Sequence, residues 1–136
     1  MSASRRQARR VALVLLYQKD VTGHDLPELY AAYEGDAGSP VPPYAQELVE
    51  AVLEDPGRLD LLIAEHATGW TVDRIAAIER AALRIAVLEL AEKTDVPASV
   101  AIDEAVRLTK RYASPEAATF VNGVLGGVAR ALGVGR

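Results

Sequence analysis

The chain has 136 residues, half of them hydrophobic and a quarter charged, which suits one globular domain with a real core. It has no Cys, which excludes disulfides, thiol chemistry and cysteine-based metal sites. Net charge is −4, yet Arg5, Arg6, Arg9 and Arg10 stand together at the N-terminus with no acid among them, so positive charge is concentrated on one segment.

The periodicity predicts a first helix over residues 4–20, capped by Ser4. Ala8, Val11, Ala12 and Leu15 recur at i, i+3, i+4 and i+7 and form the expected inward face. Arg5 and Arg9 then share one line down the helix, and Arg6, Arg10, Leu13 and Tyr17 share the next, so both lines are expected outside. Cations at a helix N-terminus oppose the macrodipole, at about 0.3–1 kcal/mol each when exposed. Four of them there favour a polyanionic partner over plain solvation. This N-terminus lacks the apolar core of a secretion signal, and VALVLLY is too short to span a bilayer, so a cytoplasmic protein is expected.

Asp25 caps a short second helix, DLPELYAAYE, with Pro27 in its first turn and Leu26, Leu29, Tyr30 and Tyr33 on one side. Residues 35–43 read as a linker rich in Pro and Gly. A third helix covers 44–54, with Tyr44, Leu48, Val49, Val52 and Leu53 inward. Asp55-Pro56-Gly57 turns the chain into a fourth, 58–67, carrying Leu59, Leu62, Ile63 and His66. The stretch 71–93 is the most apolar at helical spacing and is the expected central post of a bundle. Thr71 is its expected N-cap, with Trp70 and Ile75 as a hydrophobic staple. Glu79 has only apolar helical neighbours there and must find a partner, in this chain or in another.

A sixth helix runs from Pro97 to about Tyr112, with Val100, Ala101, Ala105, Leu108 and Tyr112 inward and Arg107, Lys110 and Arg111 making its last turns basic. Ser114-Pro115-Glu116 opens the last helix, which carries Phe120, Val121, Val124, Leu125, Val128 and Leu132. Gly123, Gly126 and Gly127 inside it predict close approach by another backbone. No segment alternates like a strand. The expected fold is all-α, one domain of about seven helices in two half-bundles, roughly 1–69 and 70–136, around the long central helix.

Nothing in the chain points to catalysis. There is no phosphate loop, dinucleotide fingerprint or nucleophile elbow, His24 and His66 lie in no metal-binding pattern, and the acids are scattered. No catalytic residue, metal or cofactor is expected. The Arg5–Arg10 cluster followed by Tyr17 is the clearest functional signal, because guanidinium groups pair with phosphates and stack on bases as aromatic rings do. A solvated helix end is the plain alternative. Glu79 is either an internal ion pair or an interface residue.

Three stretches resemble the bacterial transcription antitermination factor NusB: RRQARRVALVLLYQ at 5–18, ERAALRIAVLEL with DVPASVAIDEAVRLTKRY over 79–112, and FVNGVL at 120–125. The resemblance implies an all-α RNA-binding adaptor. It would pair with NusE, a ribosomal protein of the small subunit, bind single-stranded boxA in nascent ribosomal RNA, and join other Nus factors on RNA polymerase. The family's Arg-rich first helix matches Arg5, Arg6, Arg9 and, more loosely, Arg10. Its RNA-proximal aromatic positions match Tyr17 and Phe120, and its acidic position opening the last helix matches Glu116. Tyr17 and Glu79 match the edge of the NusE contact. Gln7 stands where some relatives continue the basic run, which implies fewer phosphate contacts. Two other roles fit the same residues: a NusB-like domain of a ribosomal-RNA cytosine methyltransferase, and a protein-binding or self-associating helical module, including a homodimer.

Overall fold

The computed structural model describes residues 2–135, with side chains from Arg5 onward. Its elements are α1 (Ser2–Thr22), α2 (Leu26–Ala37), α3 (Pro43–Glu54), α4 (Pro56–His66), a 3-10 turn (Val72–Arg74), α5 (Ala77–Glu92), α6 (Ala98–Tyr112) and α7 (Pro115–Leu132). Among the described residues there is no strand, so the expected all-α, seven-helix fold is what forms. No helix among them is long and apolar enough to cross a membrane.

α5 is the post. Nine of its residues, Ala81 to Leu83 and Ile85 to Leu90, are buried, and α1, α3, α4, α6 and α7 all pack on it. It is shorter than the apolar run predicts. Ile75 and Ala76 are extended, with ψ of 135° and 151°, so Thr71 precedes only the 3-10 turn and makes no side-chain cap. Arg80 explains how the break is tolerated. Its Nη1 donates to the Ile75 carbonyl (2.7 Å) and to the Val72 carbonyl (3.0 Å), which also accepts from the Ile75 amide that closes the 3-10 turn. The same guanidinium grips Asp20 of α1 at 2.6 and 2.9 Å. Trp70 is no staple; it is half-exposed, edge-on to Phe120 with ring centroids 6.3 Å apart.

Three further expectations shift. α2 runs on to Ala37 and stops at Gly38 (φ 69°), a left-handed cap that a residue with a Cβ adopts at a cost, so the linker is shorter than 35–43. On α6, Val100 and Tyr112 are exposed rather than inward, because the buried stripe is Ala101, Ile102, Ala105, Leu108 and Thr109. The close approach on α7 is made by a side chain and at one glycine. A Cβ at Gly127 would stand 2.7 Å from the His66 ring, whereas Gly123 faces open space and Gly126 meets only the tip of Arg130. His66, whose Nδ1 lies 3.0 Å from the Leu62 carbonyl, is thus packed between α4 and α7.

Candidate nucleic-acid interface

The first turns of α1 carry the arginines, and the fold treats them differently. α1 runs antiparallel to α5, as the Arg9–Glu89 and Asp20–Arg80 pairs require. It is covered by α3 and α5 and touched by α6, so its apolar stripe is wider than four residues and takes in Leu13, Leu16 and Arg9. Arg9 and Leu13 are therefore not on the outer surface. Arg9 is 4% exposed, and its Nε donates to both oxygens of the buried Glu89 at 3.0 and 2.9 Å. The Tyr44 hydroxyl of α3 donates to the same carboxylate at 2.5 Å. Burial first, and then the bond to Glu89, hold that hydroxyl well above its ordinary titration range, so it stays a donor. The trio closes the joint of α1, α3 and α5 with every buried polar side-chain atom among the described residues satisfied.

The other three arginines reach solvent. Arg5 is half-buried, stacked 4.3 Å over the Tyr44 ring, with Nη2 on the exposed Asp95 at 2.9 Å. That hydrogen bond raises the Arg5 pKa and lowers that of Asp95. Arg6 is 57% exposed along its side chain and donates through Nε to Glu104 of α6 at 2.8 Å. A guanidinium has five N–H donors, so one such bond fixes its direction and leaves the remainder for a ligand. Arg10 is partly exposed and has no ion pair among the described residues. Two turns further on, Tyr17 presents its ring to solvent.

Phe120, Glu116 and Glu79 form a second cluster. With Trp70, Arg74 and Ile75 they line a cleft of about 320 Å³ between the 3-10 turn, the start of α5 and the start of α7. Ser114 sets α7 there, its hydroxyl accepting from the Ala117 amide at 3.0 Å. Glu79 makes no ion pair or hydrogen bond among the described residues, and desolvation raises its pKa. The internal-pair alternative thus has no partner to supply it. A carboxyl whose folded pKa is raised costs the fold its ionisation at neutral pH, and that cost vanishes as pH falls through the folded value. Glu79→Gln should therefore melt no lower than the parent at pH 7, with any gain shrinking toward pH 4 in thermal melts. A marked loss at pH 7 would reveal a stabilising partner.

The structure gathers Glu79, Glu116 and Phe120 in one cleft and leaves Arg5 and Arg6 in a separate group beside the start of α6, with Arg10 one turn further along α1. Sequence reasoning missed Glu89, Tyr44 and Glu104, the residues that hold the arginines. The signal available was an acid, Glu89, inside an otherwise unbroken apolar run. Among the described residues no group of three or more His, Asp or Glu side chains is placed to hold a metal ion.

Residues 6–130 match the NusB family. The chain belongs to the NusB family. It is 44% identical to the transcription antitermination protein NusB of Saccharopolyspora erythraea, over 93% of this chain and 86% of that one. It is 40% identical to the same-named protein of Bacillus pumilus, over 91% of this chain and 93% of that one. Among solved structures, one of antitermination factors NusB and NusE in complex with double-stranded RNA superposes with a TM-score of 0.86 at 30% identity, covering 96% of this chain and 99% of that one. T. maritima NusB superposes at 0.83 with 28% identity, covering 93% and 90%. The NusB family is one of transcription antitermination factors and not of enzymes, in keeping with the lack of a catalytic pattern.

Proposed function

We propose that this chain is the antitermination adaptor that its family membership indicates: it binds boxA RNA as a single strand, together with NusE, and so helps RNA polymerase in the cytoplasm read through terminators. Other Nus factors join indirectly. Arg5, Arg6 and Arg10 meet phosphates, Tyr17 and Phe120 offer stacking faces, Glu116 accepts from base edges, and Tyr17 and Glu79 border the NusE contact. Arg9 acts from below, by holding α1 in place.

The observation that carries this reading is the exposed Arg6 aimed by a carboxylate, one turn before an Arg10 that has no ion pair among the described residues, on a chain of net charge −4. Exposed aromatic rings favour unpaired bases, whose faces are free, over a duplex, whose bases are already stacked. So small a basic footprint gives weak binding alone, and a second RNA-binding surface on a partner raises apparent affinity through effective concentration. Fluorescence anisotropy with boxA RNA, a scrambled strand and a boxA duplex, each with and without NusE, tests it. The expected result is that single-stranded boxA binds at least tenfold more tightly with NusE and leads both controls. Equal binding of all three RNAs, or none with NusE present, would overturn it.

A further inference from the structure

The two clusters of the proposed RNA site lie toward opposite ends of α6, and what fills the distance is specific. α6 has 15 residues, hence a length of about 22 Å, so a strand touching both must travel along its outer side. That side carries Arg107, Lys110 and Arg111, all exposed, and then the exposed Tyr112 with the Arg111 guanidinium 5.2 Å over its ring. Arg6 of α1 and these three cations line one groove of about 800 Å³. The acids lining it are Asp103 and Glu104, so cations outnumber acids four to two.

Glu104 makes the groove a fixed object. It is 7% exposed, accepts from Arg6 at 2.8 Å, and lies 3.3 Å from Arg107 and 3.9 Å from the buried Arg9. One carboxylate shared among three guanidiniums ties the α1 wall to the α6 wall and leaves the cluster net positive. The far end of α6 turns through Ala113 and Ser114 directly into Glu116 and Phe120.

Resting on the RNA-binding reading above, we propose that the outer face of α6, through Arg107, Lys110, Arg111 and Tyr112, is a phosphate track that carries the single strand from Arg6 and Arg10 to the Trp70–Phe120 cleft. The track reads no sequence; phosphate contacts hold register while the flanking clusters meet the bases. Its occupant is an RNA backbone rather than an acidic protein because the groove takes in Arg6 of the arginine cluster at one end, and from its other end the chain passes within a few residues into Glu116 and Phe120 of the aromatic cleft.

The test is the triple variant Arg107→Ala/Lys110→Ala/Arg111→Ala, titrated with single-stranded boxA RNA plus NusE over a series of KCl concentrations, beside the parent and Arg6→Ala/Arg10→Ala. The three side chains replaced on α6 are exposed, so thermal melting of the triple variant should change by only a few degrees. The expected outcome is a tenfold or greater loss of affinity at low salt and a log–log salt slope shallower by about 2, since freeing three phosphates of a single strand removes ~0.7 each. If the triple variant binds like the parent while Arg6→Ala/Arg10→Ala binds weakly, the track is wrong and the RNA reading stands. If the triple variant loses NusE but keeps RNA when RNA is titrated alone, the face docks protein and the track is equally wrong. If the parent itself fails to bind boxA, the RNA reading fails first.

Discussion

Replacing Glu89 by Ala should lower the melting temperature by roughly 10 °C or more, the largest stability effect expected of any polar residue in the chain. Glu89 is 1% exposed and takes hydrogen bonds from Arg9 and Tyr44. Its removal takes from the Arg9 guanidinium, itself buried, its only hydrogen-bonded carboxylate among the described residues; Glu104, at 3.9 Å, remains as a longer ion pair that makes no hydrogen bond to it and is already held by Arg6. Breaking one side of a buried ion pair costs about 3–5 kcal/mol, and for a chain of this size each kcal/mol moves the midpoint by roughly 3 °C. The pair as a whole contributes far less than that, because both charges were taken out of water to form it. Arg9→Met with Glu89→Met should therefore recover most of the loss, short of the Tyr44 hydroxyl left without an acceptor, which Tyr44→Phe removes. Calorimetric melts of the single, double and triple variants form the cycle that separates these effects. RNA affinity of the refolded double variant should stay within a few-fold of the parent. A single Arg9→Ala variant that melts normally but loses RNA would show Arg9 to be a ligand residue instead.

The opposite signature is expected of the neighbouring arginines on α1. Arg6→Ala/Arg10→Ala should leave melting within about 3 °C, because an exposed ion pair is worth about 0–1 kcal/mol and Glu104 keeps Arg107 beside it. Affinity for single-stranded boxA with NusE should fall tenfold or more. The salt slope should flatten by about 1.4, at ~0.7 for each phosphate that the variant no longer neutralises. Weaker binding with an unchanged slope would mean that the arginines act through shape and not through phosphate. An unchanged affinity would remove them from the interface.

The seven helices follow from apolar spacing and from the capping signals at Asp25 and Ser114, both of which form as expected. Family membership follows from motifs spread over nearly the whole chain. What was not legible in the residues is which face a charged side chain turns when a helix is enclosed on more than one side. Arg9 looks like Arg5 in a helical projection, and only the presence of α3 and α5 on either side of α1 makes it interior. Glu89 shows the converse: an acid within the most apolar helix had to be paired, but its partner lay eighty residues away. Likewise Val72, Asp73 and Arg74 fit a helix that begins at Thr71. Tertiary contacts won, since Arg80 offers the Val72 and Ile75 carbonyls a partner outside any helix. The clustering of Glu79, Glu116 and Phe120 needs the fold, because nothing in their spacing puts α7 against the start of α5.

Whether α1 and α6 together carry the RNA strand is decided by amide and guanidinium chemical-shift mapping of the isotopically labelled chain, as boxA RNA is added to its complex with NusE. Perturbations are expected at Arg6, Arg10 and Tyr17, continuing along Arg107 to Tyr112 and reaching Glu116 and Phe120, with the Arg9 Nε signal unmoved. Perturbations confined to α2, α3 and α4, with the α1 arginines silent, would place the RNA on another face and refute the adaptor surface described above.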